Sequence, residues 1–331
     1  MNDVARRAGV ALKTVSRYVN GETNIDPVLS GRIAEAIADL GYRRNLAAAS
    51  IRPGWTSKTL GLIIGDLANP YYSTLSRAIE TVARDHGYLL ISASSDEDGV
   101  THDRLVDRLM EQRVDGLLIV PPRRPARAWN AVAPPIPPLV FVDRPADLGA
   151  APGIRADTVL ADNEGGAFEA TKALVRAGAR RVAFVGDDLS IYTMAERHRG
   201  YRRALAEAGV NADGQLVRSD AHDARQAGDT ILRLLDGGDA DAIFAANNRA
   251  AVGAMRAFRE SRRRLALIGF DDFEAASLSD PAVSVVSQDI AEMGRVAAEA
   301  LIDRLQGAER EPIMRVLPTR LVLRGSELPQ P

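Results

Sequence analysis

Lys13 and Arg17 stand four positions apart, so on a helix their two cations share one face. Like charges at that spacing repel each other unless an anion comes between them, and duplex DNA would supply one. Leu12 and Ser16 project from the same side. The Arg17 fork matches guanine O6 and N7, a pairing that gives about 1–3 kcal/mol of discrimination. Leu12 has only apolar contact to offer, either to a thymine methyl or to packing within its own module. A second set of polar residues is scattered through the rest of the chain: Asp66, Asn69, Tyr71, Tyr72, Asp143, Arg197, Asn247 and Asp271. Carboxylates, an amide and an arginine suit bidentate bonding to vicinal hydroxyls, and tyrosine rings suit a flat or sugar-like face.

The elements that must position the first set are short. Asp3 to Ala8 reads as a helix with Val4, Ala5 and Ala8 on one side, and Gly9 ends it in a tight turn. Leu12 to Val19 resumes helical spacing, with Val15 and Val19 as its buried stripe. Small residue, glycine turn and pinning valine, at Ala5, Gly9 and Val15, have the spacing of a helix-turn-helix. A third helix follows: Asp26 caps it, Pro27 suits its first position, Leu29, Ile33, Ile37 and Leu40 form a stripe, and Gly41 closes it.

The second set falls behind a series of short apolar runs that alternate with amphipathic helices: Leu60 to Ile64, Tyr88 to Ala93, Gly116 to Val120, Leu139 to Val142, Val182 to Gly186, Ala242 to Ala246 and Leu265 to Phe270. This is a repeated βα pattern. Single-stripe helices, such as the one carrying Leu75, Ile79, Val82 and Ala83, imply parallel sheets covered on both faces. Ligands bind beyond the carboxyl ends of such strands, where the second set lies, joined by Arg197 near the start of a helix.

Composition narrows the classes. A chain of 331 residues with 46% hydrophobic and 26% charged residues is an ordinary globular protein of more than one domain. The absence of cysteine removes disulfides, thiolate metal sites and cysteine nucleophiles. Residues 1–58 carry a formal charge of +4 and the remainder −6, so a basic module precedes an acidic one. The phosphate-cradling, dinucleotide and nucleophile-elbow motifs do not occur, and His86, His102, His198 and His222 are scattered without metal-ligand spacing. The expectation is no enzyme, no cofactor and no metal. No export signal or membrane-length apolar run is seen, which points to the cytoplasm.

The run Asp3-Val4-Ala5-Arg6-Arg7-Ala8-Gly9-Val10, continued by Lys13-Thr14-Val15-Ser16-Arg17, Val19-Asn20-Gly21, Gly41-Tyr42 and Asn45, resembles the lactose/galactose repressor (LacI/GalR) family of transcriptional regulators. So do Asn69-Pro70-Tyr71-Tyr72, Arg197 ahead of Gly200-Tyr201, Ala246-Asn247, Gly269-Phe270-Asp271-Asp272 and Gln288-Asp289. The resemblance implies that Leu12, Lys13 and Arg17 face base edges and that Thr14, Ser16 and Asn20 meet phosphates. It further implies that Asn45 belongs to the DNA-binding set and that Ile51 wedges into the minor groove from a short hinge helix that folds on DNA. In the large module it adds Gln288 to the effector set. The sequence departs from the family pattern at Ala11, Arg44, Ala49 and Asn248, and the loop at Arg262-Arg263-Arg264 is short.

The expected organisation is a helix-turn-helix headpiece over 1–44, a hinge helix and linker over 45–58, and a two-lobed periplasmic-binding-protein-like domain over 59–328. Lobe 1 takes about 59–157 and 288–316, and lobe 2 about 158–287 and 317–328. The expected function is an allosterically controlled DNA-binding repressor that reads pseudo-palindromic operator DNA as a homodimer and answers to a sugar-like effector. Two recognition helices about one DNA turn apart are needed to read a pseudo-palindrome, so a dimer is expected, and the short polar tail after Arg324 lacks the leucine heptads that make some members of the family tetrameric. A solute-binding protein for transport is the alternative, since it would share the large module.

Overall fold

The computed structural model describes residues 1–43, 56–124, 127, 129, 132, 135–148, 154–210 and 216–329. The chain divides into two compact units, Met1–Ser57 and Lys58–Pro331. The expected hinge residues Asn45 and Ile51 lie outside the described residues.

The first unit holds α1 (Asn2–Ala8), α2 (Leu12–Val19) and α3 (Pro27–Leu40). Gly9 ends α1 at φ 63°, a left-handed conformation that glycine adopts without a Cβ penalty. Asp26 accepts hydrogen bonds from the backbone N–H groups of Val28 and Leu29, and Pro27 sits in the first turn of α3. Val4, Ala5, Ala8, Val15, Ile33 and Ala36 form the core. The stripe of α3 differs from the expected one: Ala36 is buried and Leu40 is 46% exposed. Position 36 follows Ile33 by three residues and so stays on its face.

The second unit contains two six-stranded sheets. In the first, β1 (Thr59–Ile64), β2 (Leu89–Ser94), β3 (Gly116–Ile119), β4 (Leu139–Val142), β5 (Ala156–Ala161) and β11 (Met314–Leu317) are ordered β11-β5-β4-β3-β1-β2, all parallel. In the second, β6 (Val182–Val185), β7 (Val217–Arg218), β8 (Ala242–Ala245), β9 (Ala266–Phe270), β10 (Ser284–Gln288) and β12 (Thr319–Val322) are ordered β12-β10-β9-β8-β6-β7. Its strands are parallel except β12, which pairs antiparallel with β10.

Both faces are covered, which is why the central strands read as continuous apolar runs. Along β1, Leu60, Leu62 and Ile64 pack with Leu75 and Ile79 of α4 (Pro70–Asp85) and with Leu301 of α11 (Ile290–Leu305). Ile63, on the opposite face, packs with Val106 and Leu109 of α5 (Gly99–Glu111). The second sheet is flanked by α6 (Asn163–Arg176) and α7 (Tyr192–Glu207) on one face, and by α8 (Ala224–Gly237) and α9 (Asn248–Ser261) on the other. The short α10 (Glu274–Leu278) follows β9. Each fully buried Leu, Ile or Phe in these layers contributes about 1.5–3 kcal/mol. α6 and α7 approach so closely that a Cβ on Gly200 would lie 2.1 Å from the Glu164 carbonyl oxygen, so no larger residue fits there.

The chain passes between the sheets three times, at Asp162, at Asp289 and at Pro318. The first passage comes later than the expected 157/158 boundary, because β5 continues in the first sheet to Ala161. Asp157, inside that strand and fully buried, disguises it in the sequence. Arg304 and Arg310 each donate two hydrogen bonds to its carboxylate, at 2.7–2.9 Å, and Ile313 adds a backbone N–H at 2.9 Å. Burial works against the charge, but these hydrogen bonds prevail and hold the carboxyl below its usual range.

Candidate functional site

On the first unit, α2 presents Leu12, 46% exposed, and the exposed Lys13 beside the half-buried Thr14, Ser16 and Arg17. Ala11 precedes the helix and gives no side-chain cap, as its lack of a hydroxyl requires. Arg17 does not stand free on this face. Its Nε donates to Glu22 Oε2 at 2.6 Å and its Nη2 to the Asn24 carbonyl at 2.8 Å. These contacts use two of its five N–H groups and hold the fork in place on this face. Asn20 caps the C-terminus of α2, with its amide 3.5 Å from Ser16 Oγ.

In the second unit a cavity opens where the strand ends of the two sheets face each other. Two of its carboxylates occupy matching positions. Asp143 follows β4 and Asp271 follows β9, and both take left-handed backbone conformations, at φ 69° and 72°. Non-glycine residues held there store strain, a feature that gathers at functional sites. Both are buried, Asp143 at 4% and Asp271 at 6% exposure.

Each aspartate has its own support. Tyr71 Oη donates to Asp143 Oδ1 at 2.8 Å, and Tyr72 meets Tyr71 edge to face at 5.1 Å. Burial pushes the Asp143 carboxyl above its usual range, partly countered by Arg144, and the Tyr71 and Tyr72 hydroxyls are likewise pushed well up by burial. Across the cavity, Arg197 of α7 stacks over Phe270 at 3.7 Å and lies 3.5 Å from Asp271 Oδ1. Its Nε donates to Asn163 Oδ1 at 2.8 Å and its Nη1 to the Ala246 carbonyl at 2.7 Å. These contacts use two of its five N–H groups, so donors remain for a bound molecule.

The other expected residues divide. Asp66 accepts from the Ala68 N–H at 2.8 Å and pairs with Arg249 from the opposite lobe. Asn69 caps α4 through the Tyr71 N–H and accepts from Asn248 Nδ2 at 2.7 Å, a second bond between lobes. Asn247 lines the cavity while its Oδ1 caps α9 through the Ala250 N–H. Gln288 is set behind the wall: its Nε2 donates to Asp271 Oδ1 at 2.5 Å, and its buried Oε1 has no partner. Eight of the nine expected effector residues thus meet in one cavity, and Gln288 braces one of them.

The cavity also includes residues that sequence reasoning missed, chiefly Glu97, Arg144, Asp187 and Arg249. Arg144 had a signal, since it directly follows Asp143 at a strand end. Glu97 had none, because Arg144, the cation it pairs with there, lies 47 positions away. No group of acidic, histidine or cysteine side chains suited to a metal ion occurs among the described residues. No helix among them is long and apolar enough to cross a membrane.

A helix-turn-helix unit together with two doubly wound lobes that meet at a polar cavity defines a ligand-responsive DNA-binding regulator. The chain belongs to the LacI family of bacterial regulatory proteins, whose profile matches residues 1–45, and residues 171–327 match the periplasmic binding protein-like domain. Over 98% of its length it is 33% identical to the HTH-type transcriptional regulator CelR of Thermobifida fusca, covering 96% of that protein. It is 30% identical to a CelR–cellobiose complex, covering 98% of both chains with a TM-score of 0.69. A Lac repressor structure bound to ONPG in the repressed state is 26% identical, with 97% of both chains covered and a TM-score of 0.82. These relatives are transcription regulators, not enzymes.

Proposed function

We propose that this chain is a sequence-specific repressor that binds pseudo-palindromic operator DNA as a homodimer in the cytoplasm, where that DNA lies, and is controlled by a small sugar-like effector held between its two lobes. One observation carries the effector reading: Asp143 and Asp271, both strained and buried, open with Arg197 into a single interlobe cavity. Two carboxylates and a guanidinium with donors to spare suit a molecule rich in hydroxyls. The CelR complex, 30% identical to this chain, holds cellobiose, which supports the reading.

Leu12, Lys13, Thr14, Ser16, Arg17, Asn20, Asn45 and Ile51 form the proposed DNA-binding set. The proposed domain plan is a headpiece over 1–44, a hinge over 45–58 and an effector domain over 59–328. Effector binding biases the lobes toward one arrangement, and hinge pairing transmits that bias to operator affinity. The transport alternative fails on residues 1–45, which match a DNA-binding family.

The test is a thermal-shift screen of neutral sugars, followed by mobility shift on promoter fragments with and without each hit. A hit that raises the unfolding temperature and alters DNA binding supports the reading. Ligands that stabilise the protein but leave operator binding unchanged refute the allosteric half.

A further inference from the structure

Arg144 has almost nothing left to give a ligand. Its Nη1 donates to Glu97 Oε2 at 2.7 Å and to the Pro121 carbonyl at 3.0 Å. Its Nη2 donates to Glu97 Oε1 at 2.8 Å and to the Tyr72 hydroxyl at 3.2 Å. Only Nε–H remains, 3.4 Å from Asp143 Oδ2 and without a hydrogen bond. A guanidinium is the usual grip for phosphate or carboxylate because its fork meets two oxygens at once. Here Glu97 already fills that fork.

The pairing is built into the backbone. Asp96 and Glu97, one residue beyond the end of β2, both take positive φ, 51° and 59°, where the chain turns back and Glu97 lines the cavity. The Arg123 N–H donates to Glu97 Oε2 at 2.9 Å. The carboxylate passes over Gly65, where a Cβ would lie 2.6 Å from Glu97 Oε1. The other two arginines of the wall are also matched, Arg197 by Asp271 and Arg249 by Asp66. Among the described lining residues five carboxylates face three guanidinium groups.

We propose that Glu97 sets the charge of the ligand that the cleft accepts. By occupying the Arg144 fork, in a wall where Asp271 and Asp66 already balance Arg197 and Arg249, it leaves an anion no unbalanced cation to meet, so the cleft binds a neutral polyhydroxyl compound and refuses its phosphorylated or carboxylated counterpart. This is discrimination by a repulsive element, which a site shaped only for attraction would lack. The inference rests on the reading of the cavity as an effector site and adds the residue that filters its ligands.

Titration calorimetry of the full chain with matched pairs tests it: D-ribose and D-ribose 5-phosphate, D-glucose and D-glucose 6-phosphate, cellobiose and cellobionate. The wild type should bind the neutral member of a pair about a hundredfold more tightly than the anionic one, as like-charge juxtaposition in a desolvated site demands. Glu97→Gln keeps the shape and removes the charge, so it should narrow that gap about tenfold or more through tighter anion binding. Glu97→Asp keeps the charge and should retain the gap, which separates charge from shape. A wild type that binds an anionic member as tightly as its neutral partner overturns the proposal, whether or not the variants fold. So does a gap unchanged in a Glu97→Gln protein that unfolds like the wild type. A wild type that binds no member of any pair fails earlier, at the assignment of the cleft to polyhydroxyl ligands.

Discussion

Replacing Arg197 by alanine separates the two roles that the structure gives it. The side chain is 4% exposed, donates to Asn163 and Ala246, stacks on Phe270 and neutralises Asp271, which is itself buried. Without it, Asp271 keeps only the Gln288 amide among the described residues, and breaking a buried pair in this way costs about 3–5 kcal/mol of stability. The same change removes hydrogen-bond donors from a charged group, a loss of about 1.5–3 kcal/mol of ligand binding, or roughly 10- to 150-fold in Kd. Arg197→Lys keeps a cation near Asp271 but lacks the fork and the planar stack, so it should fall between the two. Urea unfolding measures the first effect and calorimetry with a wild-type ligand the second, under conditions where the variant is folded. Mobility shift should show operator binding that no longer answers to ligand. An Arg197→Ala protein whose ligand affinity lies within about twofold of wild type would refute the placement of this residue at the ligand.

Three further outcomes follow from other parts of the molecule. Arg17→Ala should weaken operator binding and relax preference at one base position by about 1–3 kcal/mol, read by mobility shift on single-position operator variants; equal weakening on every sequence counts against base reading. Asp157→Asn leaves the buried Arg304 without its carboxylate and should lower the unfolding free energy by about 3–5 kcal/mol, with Arg310 adding little because it is more exposed; a urea midpoint equal to wild type would show the cluster to be dispensable. His102 is buried, with Nε2 unpartnered, and burial lowers its pKa despite the Asp103 contact, so the unfolded chain takes up the proton first. Stability should therefore fall as pH drops through the ordinary histidine value of 6.5 toward the lower folded value, and His102→Phe should flatten that slope in urea unfolding at a series of pH values. A wild-type-minus-variant difference that does not change with pH contradicts it.

Much of this architecture could be read from the residues because buried parallel strands announce themselves. β1, β3, β4, β6, β8 and β9 are unbroken apolar runs, and all six are buried throughout or nearly so. β5 escaped because Asp157 and Thr158 interrupt it, and the arginines that make that charge tolerable arrive some 150 positions later. β11 and β12 are exposed edges with no such run, and β7 is only two residues long. In the cleft, Asp143 and Asp271 were legible as polar residues at strand ends, while Arg197, expected at a helix start, lies six residues into α7. Glu97 was not, since a glutamate in the run Asp96-Glu97-Asp98 reads as solvated surface until the fold brings Arg144 beside it. Arg17 was legible as a basic residue on an exposed helical face, but its engagement with Glu22 and Asn24 depends on a turn that the pattern does not specify.

The three passages between the sheets limit what the lobes can do. Asp162 and Asp289 each cap the helix that follows, through Gly165 and Glu292, and Thr319 Oγ1 reaches back to the Asp162 carbonyl. Between β11 and β12 the chain has only Pro318 to make the crossing. Three tethers fastened side by side behave like the spine of a book: they bend together but resist shear and torsion, because either would pull the caps from their helices. Such a spine favours a hinge swing over sliding as the way a ligand could move one lobe against the other.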